Sequence, residues 1–364
     1  MAQGNVILRF DEVTFEYSTD KLILDKASFS VREQGKITIM GQNGAGKSTI
    51  FKLITGGEKP KTGMIHIRDN ASVGIAPQVM PREFLDQTVL EYFAGAFDEK
   101  KYNLKKLAGE ALTTVNLEVP LEKKIRELSG GQQARLLLAF ALIQKPDILL
   151  LDEPTNNLDA DGINHLTAFL IMYNKTVIVI SHDAGFLNSF TDGVLNLDAR
   201  TKKMEQYVGN YLDVVEEIKA QIEREEKKNA QLRKNIQDSK DKINFFAHKG
   251  GKMRKLASKM RDAVAEDEKN MVEVKQDDKT IRPFRIPAQV WNKSVVRLTS
   301  VSVIQNHQPV ETAVDIELRR SDRLLITGPN GIGKSTLLKS LALGSAPGAK
   351  IADGITVGYY RQDF

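Results

Sequence analysis

The amino-acid sequence predicts an α/β fold built on a largely parallel sheet, repeated in part after a helical insertion. Three observations predict it. Apolar strand-like runs such as "DILLLDE" (Asp147–Glu153) and "KTVIVISH" (Lys175–His182) alternate with helix-like runs such as "GQQARLLLAFALIQ" (Gly131–Gln144), as they do where helices cross over between parallel strands. The segment "KITIMGQNGAGKST" (Lys36–Thr49) returns as "RLLITGPNGIGKST" (Arg323–Thr336), a spacing that suits a duplicated domain and not a solenoid. Between the copies, from Tyr211 to Val274, the chain has no proline and is rich in Lys, Glu, Gln and Ala.

These observations divide the chain into a first α/β domain over 4–207, a helical hairpin over 208–290 and the N-terminal part of a second copy over 291–364. Each copy opens on a β-rich stretch, "VILRFDEVTF" in the first and "SVVRLTSVSV" in the second. Each glycine-rich segment is followed by a strand-like run ending in glutamine: "SVGIAPQ" reaches Gln78, and "TVGYYRQ" reaches Gln362. In the insertion, Val215, Ile222, Asn229, Ile236 and Ile243 recur every seven residues, with Ile218, Leu232 and Phe246 at interleaved positions. That is the narrow apolar seam of a helix packed along one partner. "HKGGK" (His248–Lys252) breaks the seam. Met253, Leu256, Met260, Ala263 and Val274 then form a second one. The insertion reads as a two-helix antiparallel coiled coil, and "IRPFRIP" (Ile281–Pro287) as an extended connector.

At 364 residues the chain is long enough for two domains with sizeable cores. It contains no cysteine, which excludes disulfides and thiolate metal sites. No apolar run is long enough to span a bilayer, and "MAQGNVILRF" lacks the pattern of a signal peptide, so a cytoplasmic protein is expected. The formal net charge of +5 is unevenly placed. Lys240 to Arg261 carries eight cations against the single anion Asp241, a net +7 that leaves the remainder at −2. A cluster of this kind at a hairpin turn suits a polyanionic partner.

The glycine-rich segments carry the chemistry. Gly41, Gln42, Asn43, Gly44, Ala45, Gly46, Lys47, Ser48 and Thr49 fit a phosphate-binding loop. Its glycines let main-chain N–H groups approach phosphate oxygens, and the helix that follows adds its positive end. Lys47 can reach the β- and γ-phosphates and Ser48 can ligate Mg²⁺. Gly328, Pro329, Asn330, Gly331, Ile332, Gly333, Lys334, Ser335 and Thr336 repeat the loop. "ILLLDE" (Ile148–Glu153) is a buried strand ending in two carboxylates, with Asp152 placed for Mg²⁺ and Glu153 placed to polarise an attacking water. It follows "LSGGQ" (Leu128–Gln132), and "SHD" (Ser181–Asp183) comes one helix and one strand later.

This ordered set resembles the nucleotide-binding domain of the ATP-binding cassette (ABC) superfamily over the whole first copy. The resemblance implies ATP and Mg²⁺ as cofactors and ATP hydrolysis as the reaction. It further implies that Tyr17 stacks on adenine and that Gln78 contacts Mg²⁺ and the attacking water. Ser129, Gly130, Gly131 and Gln132 would cap a γ-phosphate held by an opposing cassette, Asp159 would lie in the D-loop, and His182 would contact the γ-phosphate. In the second copy, Ser335 and Gln362 match Ser48 and Gln78 as Mg²⁺ ligands. Two cassettes separated by a charged hairpin are similar to the ABC-F subfamily. "DEPTNNLD" departs from its usual motif at Asn157, and "SHDAGFL" at Ala184 and Gly185. That subfamily implies action on the ribosome, in translation or antibiotic resistance, with the basic hairpin reaching rRNA or tRNA. The alternative is the ATPase subunit of an ABC membrane transporter. The first cassette needs a second "LSGGQ" to close on its nucleotide, from the remainder of the second cassette or from a second molecule.

Overall fold

The computed structural model describes residues 4–18, 21–97, 101–247, 259–261, 264, 294–305, 308–329 and 331–360. Along the first copy the elements are β1 (Val6–Glu16), β2 (Leu22–Arg32), β3 (Lys36–Gly41), α1 (Lys47–Ile54), β4 (Thr62–Ile67), β5 (Val73–Ala76), α2 (Val89–Ala94), α3 (Leu104–Thr114), α4 (Gly130–Leu142), β6 (Ile148–Asp152), α5 (Ala160–Met172), β7 (Thr176–Ile180), α6 (Ala184–Phe190), β8 (Gly193–Leu197) and β9 (Met204–Val208). There follow α7 (Tyr211–Ala247), β10 (Val296–Gln305), β11 (Gln308–Leu318), α8 (Lys334–Ala342) and β12 (Ala349–Ile351). Two compact units are present. The first joins Met1–Val73, Asp147–Asp152 and Tyr173–Ile281, and the second joins Gly74–Pro146, Glu153–Met172 and Arg282–Phe364.

The first unit holds a sheet whose strands run in the order β6-β7-β3-β8-β9, parallel except for the β8/β9 pair. Every residue of β7 and β8 is buried, as are the first four of β6, which is why these strands read as continuous apolar runs and not as alternating ones. β1 pairs antiparallel with both β2 and β4. Its buried face carries Phe10, stacked on Phe29 with ring centroids 4.4 Å apart. At the starting edge of the parallel strands, Asp147 accepts hydrogen bonds from Ser72 and pairs with Lys175 at 3.0 Å. Lys36 donates to the main-chain carbonyls of Tyr173 and Lys175. These contacts leave the opposite, carboxyl edge of the strands for the loops that carry chemistry.

α7 is one helix of 37 residues. Its base packs on the sheet, where Val214 and Ile218 are buried with Val194 of β8. Further along, Ile236 and Ile243 form a buried cluster with Val264, flanked by Met260. Asn229 is also buried, so five residues at seam positions or one helical place from them are covered. Phe246 at its side chain, and Met253, Leu256, Ala263, Val274, the "HKGGK" turn and the "IRPFRIP" connector, lie outside the described residues.

In the second unit, α2 is held by a capping box between Thr88 and Glu91, and Tyr92 stacks on Phe140 of α4 at 4.3 Å. The second copy forms an antiparallel sheet in the order β11-β10-β12, as its β-rich opening predicts. One expectation there is corrected. The strand-like run "TVGYYRQ" is not a strand over its described residues, and "RLLITG", the counterpart of β3, is not one either. Leu325 within it is 85% exposed. β3 is held by parallel neighbours on both sides, and among the described residues "RLLITG" has no ladder partner. An apolar run without ladder partners does not become a strand.

Candidate active site

β3 ends at Gly41, and the chain turns through the phosphate loop into α1. Gly46 caps α1 in a left-handed conformation, φ 112. A Cβ there would meet Ile23 Cγ2 at 2.2 Å, so both backbone and packing require glycine. Lys47 is buried, and its ammonium donates to the carbonyls of Gly41 at 2.7 Å and Gln42 at 3.2 Å. The side chain thus folds back over the loop. The second loop has the same form. Gly331 and Gly333 lie at φ 82 and 109 against 77 and 112 for Gly44 and Gly46. Lys334 donates to Gly328 at 2.7 Å and to Pro329 at 2.9 Å. Asn330 and Gln362 lie outside the described residues. Ser335 and Thr336 begin α8 and are exposed.

Asp152 ends β6 beside the first loop. Burial pushes its carboxyl above the usual carboxylate range, opposed by a hydrogen bond from the Ser48 hydroxyl and by the Lys47 charge. A hydroxyl and a carboxylate oxygen therefore meet next to an ammonium. That is a hard-oxygen donor pair for Mg²⁺ beside a cation for phosphate, so the residues present fit Mg²⁺ and a nucleoside triphosphate. Tyr17, one residue beyond β1, is 44% exposed. Its hydroxyl hydrogen-bonds Thr49 at 3.2 Å, and the ammonium groups of Lys21 and Lys52 each lie 5.8 Å from its ring centroid. His182 is exposed two residues after β7. The next residue, Asp183, caps α6 by accepting from Phe186 N–H at 3.0 Å.

In the second unit, Glu153 is buried and takes a left-handed φ of 49. Its carbonyl accepts from Asn156 N–H. Gln78 is exposed two residues after β5. Ser129 opens α4 in a capping box with Gln132: the serine hydroxyl accepts from Gln132 N–H at 3.3 Å, and the glutamine side chain accepts from Ser129 N–H at 3.0 Å. Gly130 and Gly131 form the first turn of α4, the positive end of a helix and open to an anion. Asn157, the departure from the subfamily motif, has φ 66, a conformation that asparagine tolerates better than most residues. A Cβ on Gly130 would lie 4.0 Å from its side chain.

Two features escaped the sequence reading. Arg135 of α4 donates to the Asn116 carbonyl at 2.7 Å and pairs with Asp159 at 3.3 Å. Its signal was a lone cation in the apolar run "ARLLLAFALI". The bond between Tyr17 and Thr49 joins residues 32 apart and had no local signal.

A phosphate loop on a parallel sheet, a carboxylate-ended strand and a helix opened by "SGG" define a P-loop nucleotide-binding fold. The family model described as ABC transporter matches residues 24–156. The ABC transporter ATP-binding protein YfmM of Bacillus subtilis is 30% identical over 94% of this chain and 74% of its own length. The energy-dependent translational throttle protein EttA of Escherichia coli K12 is 30% identical over 88% of this chain and 63% of its own. Among solved structures, CbiO1 from Clostridium perfringens, part of the ABC transporter complex CbiONQ, superposes with a TM-score of 0.51 at 26% identity, covering 60% of this chain and 94% of CbiO1. The chain belongs to the ABC-F subfamily of the ATP-binding cassette superfamily. It spans 58% to 74% of the length of the curated relatives compared. No helix among the described residues is long and apolar enough to cross a membrane.

Proposed function

We propose that this chain binds and hydrolyses ATP with Mg²⁺ and acts on the ribosome. The observation that carries the ATPase reading is the meeting of Ser48, Asp152 and Lys47 at one end of the parallel sheet. In this reading the main chain of Gly41–Thr49 and the Lys47 ammonium hold the phosphates, Ser48 and Asp152 hold Mg²⁺, and Tyr17 stacks on the base. Bound Mg²⁺ neutralises charge that develops on the phosphates. Glu153 accepts the proton of the attacking water, Gln78 orients that water, and the His182 ring donates a hydrogen bond to the γ-phosphate. Ser129 to Gln132 close on nucleotide held by another cassette. The Gly328–Thr336 loop holds a second nucleotide, with Ser335 and Gln362 as its Mg²⁺ ligands.

The domain division 4–207, 208–290 and 291–364 follows from this reading. The buried cluster of Ile236, Ile243 and Val264 supports a hairpin over 208–290. The net +7 between Lys240 and Arg261 suits phosphate neutralisation on rRNA or tRNA. The relation to EttA, named for a translational throttle, supports the ribosome as partner.

The test pairs hydrolysis with ribosome association. Glu153→Gln should keep ATP binding and slow turnover by ~10²–10⁴. It should also hold the protein on ribosomes in co-sedimentation when ATP is present. Unchanged turnover removes Glu153 from the role of base. Sedimentation indifferent to nucleotide, together with recovery of a membrane partner, replaces the ribosome by a transporter.

A further inference from the structure

We infer that Thr49 is a positioning residue for the nucleobase platform, which it holds through the Tyr17 hydroxyl. The inference rests on the reading of Tyr17 as the base-stacking residue. A ring that is 44% exposed just beyond a strand end has few contacts to hold it. Two fix this one. The Phe15 ring meets it edge-on, with centroids 5.0 Å apart at 86°, and the Thr49 hydroxyl bonds its hydroxyl at 3.2 Å. Thr49 is itself buried in α1, two residues after Lys47, and the α1 backbone holds it in place. Its N–H donates to the Gly46 carbonyl at 3.1 Å.

The bond therefore ties the platform for the base to the helix that opens on the phosphates. Both belong to the same compact unit. A ring without the tether has to be immobilised at each binding event, which lowers affinity by ~2–10-fold. The tether also fixes the separation between base and phosphate subsites, so a ligand that has both gains from it and a ligand with phosphates alone does not.

Titration calorimetry on the full chain, with Mg-ATP and with magnesium tripolyphosphate, tests this. Tyr17→Phe and Thr49→Val should each weaken ATP by ~2–10-fold, Tyr17→Phe should leave tripolyphosphate unchanged, and Thr49→Val should weaken ATP more than tripolyphosphate. The double variant should be no weaker than either single one, and Thr49→Ser should restore wild-type affinity. If Thr49→Val weakens tripolyphosphate as much as ATP, its hydroxyl serves the phosphates directly and the inference fails. If Tyr17→Ala weakens ATP while Tyr17→Phe does not, stacking survives and the tether falls. If Tyr17→Ala binds ATP as wild type does, the stacking role falls and the tether with it.

Discussion

Gly46→Ala separates two reasons for glycine in the phosphate loop. The residue lies at φ 112, and an added Cβ would meet Ile23 Cγ2 at 2.2 Å. A left-handed backbone costs an L-residue roughly 1–2 kcal/mol. Overlap with a buried side chain adds typically ~1–3 kcal/mol. Together these set ~2–5 kcal/mol against the competent loop, and affinity falls with the population of the competent form. The Kd for ATP should rise by ~30-fold or more. Gly44 is the internal control: its φ is 77, but nothing lies within 4 Å of an added Cβ. Gly44→Ala should therefore weaken ATP by only ~5–30-fold. Ile23→Ala in the Gly46→Ala background should recover the steric part, ~5-fold or more. A fluorescent ATP analogue gives the Kd values, and circular dichroism checks that each variant is folded. Equal losses in the two glycine variants, or no recovery with Ile23→Ala, would refute the reasoning.

Three further outcomes follow from other parts of the chain. Burial raises the Asp152 carboxyl above its ordinary range, so ionising it costs more in the folded chain than in the unfolded one. Its contribution favours the fold at low pH and is lost as pH rises through the raised native value. Without nucleotide or Mg²⁺, Asp152→Asn should melt further above wild type at pH 8 than at pH 4, and an equal difference at the two pH values rules the effect out. Changing Lys252, Arg254 and Lys255 together to Glu should weaken ribosome association most at low salt; identical salt curves for mutant and wild type sink the RNA contact. Ile243→Ala removes a buried member of the α7 cluster and should destabilise that end of the helix by ~2–5 kcal/mol. Proteolysis near 240 should accelerate while ATP affinity holds, and a loss of ATP affinity instead would show coupling to the loop.

Features set by contiguous residues were legible in the sequence. The phosphate loop was, because its chemistry needs glycines, a lysine and a serine in one short run. β6 and β7 were, because strands buried on both faces are apolar throughout. The α7 seam was legible in period, but at its base Val214 is fully buried and the heptad residue Val215 only partly so. There α7 meets Val194 on the sheet, and that contact wins over the seam. "TVGYYRQ" was misleading for the opposite reason. Its composition suits a strand, but a strand is a property of a pair. The Tyr17–Thr49 and Arg135–Asp159 contacts join residues 32 and 24 apart, and nothing in either local pattern announces the partner.

Asp152 and Glu153 are neighbours, yet the strand ends between them and the backbone of Glu153 turns left-handed. Along a continuing strand, successive side chains point to opposite faces, so the turn frees the second carboxylate from that alternation. It does so in a conformation that glycine or asparagine adopts with less strain. If Glu153 is the base proposed above, stability and hydrolysis make opposite demands on position 153. Repeated selection of random variants for heat resistance alone should drift there toward glycine or asparagine, yielding proteins that survive the screen, bind nucleotide and no longer turn it over.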